Sequence, residues 1–408
     1  MTAQRIALGE LFRVGSSKRV LKSQWQSEGV PFYRGREVTR LAADGFVENE
    51  LFISEELYSE LSSQYGVPSA DDIMITAIGT IGNSYVVRSD DRFYFKDASV
   101  LWLKKKAEVS SEFVNLWLKS GEFLDQLDRG NGATVDTLTI QKLQAVVVTL
   151  PTLPEQRRIV AILDEAFEGI ATAKANAEKN LQNARELFAR QLQALFSEPR
   201  SSWVASTLGA TYDVRDGTHD SPKYHDRGWP LITSKNLRPE GLSFDDVKLI
   251  ADADYRKINE RSAVHKGDVL FAMIGTIGNP TVVEVEPDFA IKNVALFKIP
   301  KGQSGHFLRY YLSSQSVVSK MQSEARGTTQ KFVGLGYLRA FPVTVPPQAE
   351  QGELVRELDD LAAETGRLEG IYEQKLAALD ELMKSLLHRA FTGALTENSI
   401  DKQVAEVA

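Results

Sequence analysis

The chain has 408 residues, 43% of them hydrophobic and 25% charged, a globular composition too long for one ordinary core and long enough for two or three domains. With no cysteine, disulfides, thiolate metal sites and cysteine nucleophiles are excluded together, and the five histidines are scattered without metal-ligand spacing. The net charge of −7 is uneven: residues 1–150 carry 17 Lys and Arg against 20 Asp and Glu and residues 199–348 carry 19 against 15, whereas residues 349–408 carry 6 against 13.

From the N-terminus, Met1-Thr2-Ala3-Gln4-Arg5 leads into no apolar signal segment, and no later apolar run is long enough for a bilayer. We therefore expect a cytoplasmic protein with no membrane partner. Residues 1–150 contain short β-type runs such as Ala145-Val146-Val147-Val148, broken by Gly, Pro and Asp, which predicts a mixed α/β (α+β) globule. Within it Lys18, Arg19, Arg34 and Arg36 form a basic cluster around Phe32 and Tyr33. Arg can read a guanine edge bidentately and Lys can neutralise phosphate, although any one such residue is more often a solvated loop charge.

Residues 72–83, Asp-Ile-Met-Ile-Thr-Ala-Ile-Gly-Thr-Ile-Gly-Asn, return without a gap at 268–279 as Asp-Val-Leu-Phe-Ala-Met-Ile-Gly-Thr-Ile-Gly-Asn, an offset of 196. Each copy follows an apolar strand, and its glycines permit a tight turn in which backbone N–H groups approach phosphates. A single Gly-x-x-Gly loop is more often a plain strand connection; two at matched positions make Thr80, Asn83, Thr276 and Asn279 candidates for DNA contact. The same offset carries Lys96 onto Lys292, which join them.

Residues 151–198 predict a long helix with a heptad-like seam through Ile159, Leu163, Ala166, Ile170, Ala173, Ala177, Leu181, Ala184, Phe188, Leu192 and Leu195. A second globule follows over 199–345, where Lys223, Tyr224, Lys235 and Asn236 are placed like the basic cluster of the first. A second helix is predicted over 346–393, with a seam through Leu354, Leu358, Leu361, Thr365, Leu368, Tyr372, Leu376, Leu379, Met383, Leu387 and Ala390, each 195 residues beyond its counterpart. Both seams carry the same stutter, ending at Leu181 and Leu376, as expected of helices that pack on each other. About 44 residues at about 1.5 Å each give a rod of roughly 65 Å. Residues 394–408 read as a polar, flexible tail. The order of globule, helix, globule, helix predicts an antiparallel coiled coil and an internal approximate two-fold axis.

No catalytic constellation is present. The chain lacks a Gly-x-x-x-x-Gly-Lys-[Ser/Thr] loop, His-Glu-x-x-His and Gly-x-Ser-x-Gly, and Asn279-Pro280-Thr281 fails the Asn-Pro-Pro-aromatic pattern of adenine methyltransferases. Glu373-Gln374-Lys375 resembles the end of a nuclease motif but lies on the second predicted helix, as a solvated face.

With these residues assembled, the chain resembles the specificity subunits of type I restriction-modification systems. The matching stretches are Ser17-Lys-Arg-Val-Leu-Lys-Ser-Gln-Trp25, Glu28-Gly-Val-Pro-Phe-Tyr-Arg-Gly-Arg-Glu37, Asp216-Gly-Thr-His-Asp-Ser-Pro-Lys-Tyr224, Arg326-Gly-Thr-Thr-Gln-Lys331, the proline-rich starts of both helices, and Gln374 to Leu387. The resemblance implies two target recognition domains, each reading half of a bipartite, asymmetric site in double-stranded DNA, with the helices as a ruler between them. It adds Arg326, Thr328, Thr329, Gln330 and Lys331 to the DNA-facing candidates, with Arg129 and Thr134 at the matching place of the first half, where Gly130-Asn-Gly-Ala-Thr134 stands opposite Gly327-Thr-Thr-Gln330. It implies a non-catalytic chain that binds no cofactor. Two DNA adenine methyltransferase subunits would use S-adenosylmethionine, and restriction and translocase subunits can join them. A stand-alone DNA-binding regulator and a coiled-coil scaffold are the competing readings. The duplication also predicts that a chain ending near Pro199 would pair with a second copy of itself.

Overall fold

The computed structural model describes residues 4–127, 137–327 and 330–395. The chain forms two compact units, one from residues 1–178 with 373–408 and the other from residues 179–372. Each long helix thus begins in one unit and ends in the other.

In the first unit a four-stranded antiparallel sheet runs in the order Phe12–Gly15, Val100–Lys105, Ile73–Thr76, Ser84–Val86. A three-stranded sheet beside it has the order Phe52–Ile53, Val30–Tyr33, Tyr94–Phe95, the last pair being parallel. The central strand is buried on both faces, and strand alternation sends its side chains to two cores: Ile73 and Ile75 join Phe113, Trp117 and Leu143, while Met74 joins Val38, Phe95 and Trp102. The second unit repeats this frame. Its four-stranded sheet is Asp213–Asp216, Val294–Lys298, Val269–Ala272, Gly278–Val282, with Val269 and Phe271 on one core and Leu270 and Ala272 on the other.

Several repeated polar residues hold the frame together. Asp72, buried, accepts hydrogen bonds from the Ser69 and Lys105 backbone N–H groups at 2.9 Å and from Trp102 Nε1 at 2.8 Å. Its counterpart Asp268 accepts from the backbone of His265 at 2.7 Å and of Ile299 at 3.1 Å, and pairs with Lys298. Gln156, buried at the start of the first long helix, accepts from Ser110 N and donates to Pro151 O at 2.9 and 2.8 Å; Gln351 does the same with Ser304 and Pro346, both at 2.9 Å. A buried amide satisfied on both ends fixes the angle at which a helix leaves its globule.

The helices span Leu153–Ser197 and Gln348–Phe391. In the first unit Ile159, Leu163, Ala166 and Ile170 pack with Leu379, Leu382, Leu386, Leu387 and Ala390, and Lys174 pairs with Asp380. In the second, Arg185 meets Glu369 at 3.1 Å, Phe188 and Leu192 pack with Leu358, and Leu195 and Phe196 pack with Leu354. Rising numbers on one helix meet falling numbers on the other, the antiparallel arrangement. Leu181, Phe188, Leu361, Leu376 and Met383 are half-buried in the seam. The predicted stripe misses Leu382 and Leu386, which are buried although Met383 was the expected seam residue. At its C-terminal end the second helix packs on the first globule, with Phe391 edge-on to Phe113 at 5.2 Å, as well as on the other helix. A heptad count registers only the helix–helix face. No described helix is long and apolar enough to cross a membrane.

Candidate nucleic-acid interface

The antiparallel pairing brings the C-terminal ends of strands Phe12–Gly15 and Ile73–Thr76 and the start of Val100–Lys105 to one edge of the first globule. The second sheet contributes there too, because Val30–Tyr33 and Tyr94–Phe95 run parallel and Lys96 N donates to Tyr33 O at 2.8 Å. Ser17 Oγ closes the gap by donating to Phe95 O at 2.7 Å, and Lys18 N donates to the Tyr94 hydroxyl at 3.0 Å. Lys18 and Lys96, 78 residues apart in sequence, thereby share one edge.

At that edge the loop after Ile73–Thr76 folds onto Thr76. Gly82 N donates to Thr76 O at 3.2 Å, Asn83 N donates to Thr76 Oγ1 at 3.1 Å, and Asn83 Nδ2 donates to Thr39 Oγ1 at 3.0 Å. Gly79 has φ +80° and Gly275 φ +77°, the left-handed turn that the repeated glycines were expected to supply. The amides of Gly82 and Asn83, and that of Gly275, already have partners inside the protein, so in these turns they are not the N–H groups left to approach a phosphate. Thr80 stays exposed.

The arginines of this edge are held by carboxylates. Arg34 caps the helix Gly35–Asp44 and grips Glu37 through Nε at 3.1 Å and Nη2 at 2.7 Å, with its backbone N–H at 2.8 Å. Arg36 reaches the same carboxylate at 3.1 Å and then Glu50 at 2.5 Å, and Arg19 Nε meets Asp97 at 2.9 Å. Glu37 is only 3% exposed. Burial raises its pKa, but the hydrogen bonds from Arg34 and Arg36 outweigh that and hold the carboxyl below the usual carboxylate range.

In the second globule the corresponding edge collects the ends of Asp213–Asp216, Trp229–Ile232 and Val269–Ala272. Gly275 N donates to Lys331 O and Val333 N to Met273 O at 2.8 and 3.0 Å, which docks Lys331 and Val333 onto the repeated loop. Reciprocal backbone bonds between Arg326 and Phe332 at 2.9 and 2.8 Å clamp Arg326 beside them. Gly327, at φ +101°, has no room for a side chain, because a Cβ would stand 2.3 Å from Gln330 O. Lys235, Thr276, Arg326, Gln330 and Lys331 are exposed around this clamp. His219 bridges Asn293 Oδ1 and Asp216 Oδ2, both at 2.9 Å, and orders the Asp216-Gly-Thr-His segment.

Four sequence candidates take other roles. Asn236, 6% exposed, accepts from Thr233 N at 2.9 Å and donates to Ser243 O at 3.1 Å, so its amide holds a turn and has no edge free for adenine. Lys292 is 9% exposed and donates to Ser221 Oγ. Asn279 is exposed, but its Nδ2 donates to Leu237 O at 3.2 Å. Tyr224, preceded by Lys223, is exposed but pairs with Ile250 beside Trp229, at the end of Trp229–Ile232 away from the clamp. Arg129, Thr134, Thr328 and Thr329 lie outside the described residues. Composition could not have revealed Ile78 and Phe332, whose apolar side chains are exposed while their backbones form isolated bridges to Thr137 and Ile274. Among the described residues no acidic or histidine cluster could hold a metal ion.

Residues 2–182 and 226–376 match the family model described as the type I restriction modification DNA specificity domain. The chain belongs to that family. The relative S.HindORF215P of Haemophilus influenzae, named as a type I restriction enzyme specificity subunit, is 30% identical over 190 residues, covering 45% of this chain and 46% of its own. The EcoKI specificity subunit of Escherichia coli is 22% identical over 72% of this chain and 68% of its own. The chain's matches thus span about half to two thirds of these relatives. Among solved structures, a type I R-M system chain superposes with a TM-score of 0.77 over 97% of this chain and 98% of that one, and the HsdS subunit of Thermoanaerobacter tengcongensis with 0.64 over 96% and 97%, both at 18% identity. The specificity-domain fold therefore extends over nearly the whole chain.

Proposed function

We propose that this chain is the DNA-specificity subunit of a type I restriction-modification complex: each globule reads one half of a bipartite site in double-stranded DNA, and the helix pair sets their spacing. The supporting observation is the repetition of one edge in both globules, built on the same strands but carrying different side chains. One frame with two chemistries suits an asymmetric target. The chain itself is the non-catalytic member, and two copies of a DNA adenine methyltransferase, which use S-adenosylmethionine, act where it holds them. Restriction and translocase subunits complete the assembly in the cytoplasm.

The test combines the purified chain with a type I DNA adenine methyltransferase subunit of the same host, S-adenosylmethionine and unmodified host DNA, and maps methylated adenines. Transfer at a bipartite sequence is expected only when both proteins are present. Methylation by the chain alone, or tight sequence-specific binding whose targets the methyltransferase never modifies, would overturn the assignment, the second outcome favouring a stand-alone regulator.

A further inference from the structure

Two ion pairs between the helices are counterparts of each other. Lys174 binds Asp380 in the first unit, and Arg185 binds Glu369 in the second. At the offset of 195, Glu369 stands for Lys174 and Asp380 for Arg185. One contact therefore occurs twice, and both times the helix Leu153–Ser197 supplies the cation and the helix Gln348–Phe391 the anion. Nothing in the packing of a duplicated helix pair requires this polarity, because either helix could carry one charge of each sign.

We infer that the charges are a pairing code by which each half of the chain selects the other half and rejects a second copy of itself. If two first helices paired in the observed register, Lys174 of each would face Arg185 of the other, giving two like-charge contacts. Two second helices would set Glu369 against Asp380 twice. Only unlike halves make two attractive contacts. Exposed ion pairs are individually weak, but exchanging partners converts all four contacts of two molecules from attractive to repulsive. Lys174 is three-quarters buried, and its hydrogen bond holds the Asp380 carboxyl below the usual range. The seam is biased in the same direction: Ala166, Ala173 and Ala177 stand where the second helix has Leu361, Leu368 and Tyr372, so two first helices would pack around unfilled space. The self-pairing expected of a chain ending near Pro199 is therefore opposed by both charge and volume. Such selection is the coiled-coil use of flanking charges, applied within one polypeptide.

The test keeps the full chain. A protease site is inserted after Glu198, in the exposed turn between the first helix and the second globule, and light and isotopically heavy preparations are folded, cut, mixed and weighed by native mass spectrometry. Wild-type halves should exchange labels yet form only unlike pairs. The double variant Lys174→Glu/Glu369→Lys makes each half self-complementary, so the fraction of like pairs should rise at least about tenfold. In 1 M salt, where charges are screened beyond about 3 Å, most of that difference should vanish. Like and unlike pairs in equal amounts from wild-type halves, or no rise in like pairs with the double variant, would overturn the code. If cutting itself unfolds the halves, the uncut chain decides: Lys174→Glu should lower the unfolding midpoint and Lys174→Glu/Asp380→Lys should restore it at low salt, whereas a double variant no better than the single one refutes the proposal.

Discussion

The edges of the two globules share their strands but hold their cations differently. In the first, Arg19, Arg34 and Arg36 are tied to Asp97, Glu37 and Glu50. In the second, Lys235, Arg326 and Lys331 are exposed and form no ion pair among the described residues. A cation that already has a carboxylate adds little net charge to attract a phosphate backbone, but its remaining N–H groups are oriented in advance, which suits recognition of a base edge. A free cation binds phosphate and displaces counterions whatever the sequence. Under the proposed function, we expect the paired arginines of the first edge to contribute mainly selectivity and the unpaired Lys235, Arg326 and Lys331 of the second mainly grip.

The most disruptive attack on that contrast is Lys235→Ala/Arg326→Ala/Lys331→Ala. In the methyltransferase complex, titrated by fluorescence anisotropy across salt concentrations, it should weaken DNA binding about a hundredfold and lower the salt slope by about 2 to 3, with base preference unchanged. A change of preference at one half-site instead would make these residues readers of bases. Next comes Glu37→Ala, which leaves two guanidinium groups around an empty position; an unfolding loss of about 2 kcal/mol is expected, discounted because Arg36 is half exposed. Methylome mapping should show relaxed choice in one half-site only. Asn236→Ala should lower stability by about 1 kcal/mol, as Thr233 N and Ser243 O lose their partner, with no change in the methylated sequence. The smallest effect concerns acid. Because the Glu37 carboxyl is held below the usual range, its contribution to stability is complete above the ordinary carboxylate pKa of about 4 and is lost as pH falls through the depressed value. Wild-type and Glu37→Gln unfolding curves should therefore converge toward low pH and separate at neutral pH.

Much of the architecture was legible in the sequence because repetition and periodicity are properties of the sequence. The 196-residue offset located both central strands, and the alternating fours and threes located both helices. The edge itself was partly legible, since Arg34, Thr80 and Lys331 do fall there. What the sequence hid was partnership. Nothing local marks Glu37 as the anchor of two arginines, or Asn236 as a turn holder rather than a base reader, because those roles depend on Glu50, fourteen residues from Arg36, and on Ser243, seven from Asn236. Leu382 and Leu386 escaped for a related reason: their second neighbour is a globule nearly 300 residues away in sequence, whose register leaves no trace in a heptad.

The first globule enters by strand Gln4–Ala7 and leaves by Val147–Leu150, and these two strands pair with each other, Ala7 opposite Val147. Val204–Thr207 and Pro342–Val345 pair in the same way, Thr207 opposite Pro342. Each globule is thus hung from a two-strand stem whose ends are neighbours, while Gln156 and Gln351 hold the helices from outside the stem. A segment closed at its base in this way is a cassette. A foreign 8–146 or 208–341 segment joined at those four residues would enter and leave by the same stem, and it would seat the helices alike where it keeps the backbone amides that Gln156 and Gln351 accept from and the ring that meets Phe391; under the proposed function, recombination at the stems would then rewrite one half of a target and leave the other half intact.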